Sequence, residues 1–98
     1  MKRYDVIVMP LADEDIRHIT TYLSEFSPTI ALLYSDYFYE SIDSLATMPN
    51  RCTTVRGKNG YRWLSVRNYT IFFRVDDASC IVRVERVLYS KREYDIIL

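Results

Sequence analysis

The chain has 98 residues, of which 49% are hydrophobic and 27% charged. That suffices for one packed domain over residues 1–98 and argues against intrinsic disorder. No apolar run approaches the ~20 residues that cross a bilayer, and Met1–Asp5 leads into no signal-peptide core, so a cytoplasmic protein without membrane contact is expected. The net charge of zero hides an asymmetry: residues 1–50 carry three basic side chains (Lys2, Arg3, Arg17) against eight acidic ones, and residues 51–98 carry ten against five. Such separation suits an acidic or polyanionic partner for the second half, or two halves that complement each other within the fold.

Tyr4–Met9, with Val6, Ile7 and Val8, reads as a buried strand. Pro10 suits the first turn of a helix, and Asp13, Glu14 and Asp15 suit its positive end. Ala12, Ile16, Ile19, Leu23 and Phe26 then form one apolar stripe, predicting a helix over roughly 11–26. His18 lies on its polar side, as a surface residue. Ser27-Pro28 is a second helix start, with Ser27 as N-cap. Ile30, Leu33, Tyr34, Tyr37, Phe38, Ile42 and Leu45 continue at helical spacing until Pro49-Asn50. The short joint predicts an antiparallel helical hairpin, with the tyrosines at 34, 37 and 39 as core and interface residues.

Residues 51–60 are polar, contain both glycines and read as a loop with at most a short irregular strand. Three strand patterns follow. Tyr61–Arg67 places Leu64 and Val66 on alternate positions, and Asn68 suits a tight turn. Tyr69–Val75 sets Tyr69, Ile71, Phe73 and Val75 against Thr70, Phe72 and Arg74. After the turn cluster Asp76–Ser79, Cys80–Tyr89 sets Val82, Val84, Arg86 and Leu88 against Ile81, Arg83, Glu85 and Val87. Ser90–Leu98 is a short helix or a tail packed on the sheet. Helices followed by a run of strands mean α+β: an N-terminal strand, a helical hairpin and a three-stranded antiparallel meander. The first strand joins the sheet at its edge or in its middle, the hairpin covers one face, and the other face is left open as a binding surface. Cys52 and Cys80 form no CxxC pair and His18 is the sole histidine, so neither a zinc site nor any cofactor is expected.

Two stretches resemble the RelE/ParE superfamily of toxins from type II toxin–antitoxin modules: Arg62-Trp63-Leu64-Ser65-Val66-Arg67-Asn68-Tyr69-Thr70-Ile71-Phe72-Phe73-Arg74-Val75-Asp76 and Val84-Glu85-Arg86-Val87-Leu88-Tyr89-Ser90-Lys91-Arg92-Glu93-Tyr94. The family's arginine-started strand, aromatic after a turn, I-F-F/Y-R-V strand and R-V-L-x-x-x-R ending appear in order, and Ala12, Ile16 and Ile19 fit its first helix. The resemblance implies a growth-inhibiting toxin neutralised by an acidic, partly disordered antitoxin. It also implies one of two targets. A ParE-like member poisons DNA gyrase and is not an enzyme. A RelE-like member cleaves messenger RNA on the ribosome, without metal.

The nuclease reading needs groups that activate a 2′-hydroxyl, stabilise the phosphate and protonate the leaving oxygen. By resemblance these are Arg92 and Tyr94, as catalytic candidates. Thr70 stands where a catalytic arginine is expected, and Arg62 and Leu64 stand at the places of a lysine pair. Those departures, and the spacing of the strands, favour the ParE-like reading over the RelE-like one. A non-toxic binding scaffold of the same fold is the third reading. Arg62, Arg67, Arg74, Arg86 and Lys91 are the candidate contacts to target or antitoxin. Arg62 and Arg67 are candidates to line the open face, whereas Arg74 and Arg86 are exposed strand residues or members of salt bridges.

Overall fold

A computed structural model describes residues 2–91. Its elements are β1 (Asp5–Val8), α1 (Pro10–Ser24), α2 (Pro28–Ser44), β2 (Thr53–Thr54), β3 (Tyr61–Val66), β4 (Tyr69–Asp76) and β5 (Ile81–Tyr89), with a 3-10 turn at Pro49–Arg51. The strands form one sheet in the order β1-β5-β4-β3-β2. The meander β3-β4-β5 is antiparallel throughout, and β1 runs parallel to β5. The expected α+β architecture is therefore present.

Both helices begin with proline, whose fixed φ and missing N–H suit a first turn. Ser27 caps α2: its Oγ accepts from the Ile30 N–H at 3.3 Å. The first helix ends two residues short of the expected position, and Phe26 lies outside it, 73% exposed and edge-on to Tyr22. The apolar periodicity of α1 thus runs past its end. The first strand is an edge strand rather than a buried one, with Asp5 and Ile7 exposed.

The hairpin packs on one face of the sheet. Ala12 and Ile16 of α1 and Phe38 and Ile42 of α2 meet Ile71 and Phe73 of β4 and Val82, Val84 and Val87 of β5. Tyr34, Phe38, Tyr69 and Tyr89 extend this core as edge-to-face pairs with centroids 5.5 to 6.1 Å apart.

The face away from the helices is not bare. Val55, Phe72 and Leu88 form a second small cluster there, with Tyr61 against it, and Phe72 is only 1% exposed. Strict alternation along β5 puts Leu88 with Val82 and Val84, but in the structure Val87 takes the helix side instead. The cause is a register shift: Phe72 pairs with Arg86 and Phe73 with Val84, so Glu85 is an extra residue in β5. Such a bulge resets which residues face the core.

Among the described residues three non-glycine positions adopt positive φ: Met48, Arg67 and Cys80. In the β3–β4 turn it is Arg67 (φ 57°) rather than Asn68 that enters the left-handed region, with its guanidinium over the Tyr37 ring at 4.4 Å. Asn68 instead accepts from the Tyr34 hydroxyl at 3.2 Å. Cys80 (φ 54°) belongs to the β4–β5 turn and not to the strand, which starts at Ile81.

Candidate functional site: the face of the sheet away from the helices

Two of the five arginine and lysine contact candidates are committed to the fold. Arg86 forms a two-pronged ion pair with Asp15 of α1, at 2.8 and 2.9 Å, and the same carboxylate accepts the Val87 N–H at 3.0 Å. The side chains are 19% and 13% exposed. β1 is only four residues long and pairs with β5 only as far as Val84. Asp15 therefore satisfies a backbone donor on β5 beyond the end of β1. The hydrogen bonds hold the guanidinium above its ordinary pKa. Arg86 is thus the salt-bridge residue of the two possibilities open in the sequence, and Asp15 is more than a helix-dipole charge. The pair joins residues 71 positions apart.

Arg62 does not line the open face. It pairs in register with Phe73, on the helix side, and donates to the Cys52 carbonyl at 2.6 Å and the Asn50 carbonyl at 3.3 Å. It thereby fixes the chain between the 3-10 turn and β2. Leu64 likewise packs against the main core. The residues of β3 that reach the other face are Tyr61, Trp63 and Ser65, none of them basic.

Beside Arg62 lies a polar knot at the opposite end of the sheet from Ser90. The Asp77 carboxylate accepts from the Tyr4 hydroxyl at 2.5 Å and from Asn50 at 2.9 Å. These bonds, the Tyr4 one foremost, hold the Asp77 carboxyl below its ordinary range and push the Tyr4 phenol up. The knot ties the N-terminal strand to the β4–β5 turn.

The remaining candidates fall near the two ends of the sheet. Near the β3–β4 turn, where Ser90 N–H donates to Asn68, lie Arg67 and Lys91, both exposed, but Arg67 stacks on Tyr37 of α2 on the helix side and does not line the open face. A shallow pocket of 220 Å³ opens there among Trp63, Ser65, Thr70, Phe72 and Ser90. Thr70 is nearly buried, and its hydroxyl lies 2.9 Å from that of Ser90. Trp63, the sole tryptophan, is 39% exposed. Among the described residues no ionisable side chain lines this pocket. They offer aromatic surface and paired hydroxyls, which suit recognition more than proton transfer.

Near the β4–β5 turn a second pocket of 370 Å³ is lined by Arg74, Arg83 and Glu85 together with Asp76 and Asp77. Arg74 stacks over Tyr61 at 5.0 Å. Arg83 was not among the residues singled out from the sequence. Only its register opposite Arg74 brings it into a site.

Arg92 and Tyr94, the catalytic candidates of the nuclease reading, lie outside the described residues. Among the described residues no group of three or more His, Cys, Asp or Glu side chains is placed to hold a metal, and no helix is long and apolar enough to cross a membrane.

Comparison with known proteins bears on the identity of this scaffold. In solved structures the fold is similar to a chromosomal ParDE toxin–antitoxin system from P. aeruginosa, at TM-score 0.78 and 18% identity, covering 93% of this chain and all of that one. It is also similar to a mutant of the E. coli toxin RelE in the free state (TM-score 0.67, 15% identity, 97% and 92% covered). An archaeal RelE–RelB complex from Pyrococcus horikoshii OT3 gives TM-score 0.64 at 13% identity, with 94% and 99% covered. At these identities the likeness shows the fold. No curated protein matches. The family model of the ParE toxin of type II toxin–antitoxin systems, parDE, matches residues 6–94, nearly the whole chain, and the protein belongs to that toxin family.

Proposed function

We propose that this toxin acts as a ParE-like poison of DNA gyrase, held in check by a co-expressed antitoxin, and that it does not cut RNA. One observation carries the choice of target: among the described residues, the pocket at Trp63, Thr70 and Ser90 is lined by no ionisable side chain, where a metal-free nuclease needs acids and bases. The Thr70 hydroxyl is taken up by Ser90, and the basic candidates Arg62 and Arg86 are turned into structural contacts. The family match and the neighbouring ParDE and RelE–RelB complexes support an antitoxin as partner. The exposed candidates Arg67, Arg74 and Lys91 are left as contacts to partner or target.

The test is to induce the chain alone in bacteria and pulse-label DNA and protein synthesis over the first minutes. DNA synthesis stopping first, with filamenting cells, is expected. Protein synthesis stopping first, with messenger RNA cut on the ribosome, would overturn the reading and return Arg92 and Tyr94 to the centre.

A further inference from the structure

We infer that Arg74 and Arg83 form a carboxylate-binding subsite at the β4–β5 end of the uncovered face, which takes one acidic side chain of the antitoxin. The inference rests on the toxin–antitoxin reading but not on the identity of the toxin's target.

The register places Arg74 directly opposite Arg83 in the antiparallel pair β4–β5. Directly opposed residues hold their Cβ atoms about 5 Å apart, and like charges so placed repel. Neither forms an ion pair among the described residues, where the arginines so paired are Arg17 and Arg86. Arg74 is held in place by its stacking on Tyr61. The guanidinium also lies against Gly60, within 3.4 Å of where a Cβ on that residue would sit. A guanidinium fixed in this way presents its planar fork with little entropy left to lose. The two arginines share one pocket of 370 Å³, and a bound anion there would relieve their mutual repulsion.

The surroundings select the kind of anion. Asp76, Asp77 and Glu85 line the same pocket, and the chain as a whole is neutral. A nucleic-acid backbone carries a charge at every nucleotide and would press its neighbouring phosphates against these carboxylates. A single carboxylate on an otherwise weakly charged peptide meets the two forks and avoids the three acids. Arg–carboxylate pairing is also the geometry a planar guanidinium serves best.

The experiment measures binding of a fluorescently labelled peptide that carries one glutamate among uncharged residues to the full chain at low salt, with wild type, Arg74→Gln, Arg83→Gln, the double variant and the control Arg17→Gln. Each single substitution at the subsite is expected to weaken binding about tenfold. The double variant should lose little more than the singles, because both forks grip one group. Arg17→Gln should change affinity by less than about twofold, as for a general surface charge. Without peptide, Arg83→Gln should raise the melting temperature by removing the like-charge pair, a gain that a merely structural arginine would not give. Equal losses in all three single variants would overturn the inference, as would unchanged affinity at Arg74 and Arg83. So would tighter binding of a hexathymidylate of the same label. Co-purification with the product of the adjacent reading frame separates the two levels of the argument. An undiminished complex in the double variant removes the subsite and leaves the antitoxin reading standing, whereas no complex with wild type removes both.

Discussion

Phe72 and Phe73 are neighbours in β4 and are both almost fully buried, yet they belong to two different constructions. Phe73 sits in a continuous core of helix and strand side chains. Phe72 sits in a cluster of three buried residues on the opposite face, beside a surface that holds a half-exposed tryptophan and a pair of directly opposed arginines. The first face is closed by apolar contact on all sides. The second is only partly closed among the described residues, where Thr70 and Ser90 pair with each other and Arg74 and Arg83 form no ion pair. A surface of that kind stabilises little by itself and is available to a partner.

Substitutions break this comparison in order of size. Phe73→Ala should cost about 3–5 kcal/mol, as for a large side chain deleted from a closed core. Trp63→Ala on the other face should cost less than about 1 kcal/mol in stability while impairing toxicity. Urea denaturation alongside a growth assay measures both. Equal stability losses would mean that the second face is part of the core.

A smaller effect is expected at the ion pairs. Asp15→Ala strands Arg86 and the Val87 N–H at the free part of β5 and should cost about 3 kcal/mol. Asp13→Ala removes an exposed pair with Arg17 at 3.5 Å and should cost no more than about 0.5 kcal/mol. Similar values for the two would show that the buried pair is not what joins α1 to β5.

The smallest effect is set by pH. Hydrogen bonds from Tyr4 and Asn50 depress the Asp77 carboxyl below its usual value of 3.8. A depressed carboxyl stabilises the fold fully above its unfolded value, and that stability is lost as pH falls through the folded value. Acid unfolding of wild type should therefore be steeper than that of Asp77→Asn, and the two should be compared by denaturation between about pH 2 and pH 6. Parallel curves would remove the knot at Asp77 from the account.

Much of the first face was legible in the sequence. Ser27-Pro28 marks the start of α2, and the alternation of Tyr69, Ile71, Phe73 and Val75 gives the inward side of β4, because both signals are local. The second face was less legible. Cys80 extends the turn at positive φ, so that Asp76 pairs with Ile81 and Arg74 comes to lie opposite Arg83. The extra residue Glu85 then sends Val87 to the helices and Leu88 away from them. Neither the turn length nor the bulge has a compositional mark, since cysteine is an uncommon residue at positive φ. The Arg86–Asp15 pair was likewise beyond local pattern, because its partners, 71 positions apart, are brought together only when α1 packs on β5.

The central claim is that the uncovered face serves recognition of gyrase and not catalysis on RNA. Its most direct test is to incubate the purified chain with DNA gyrase, plasmid DNA and ATP and to measure covalent gyrase–DNA cleavage complexes, with ribosomes and messenger RNA treated in parallel. Accumulating cleavage complexes with intact RNA are the predicted result. Cut RNA with gyrase unaffected would contradict the account.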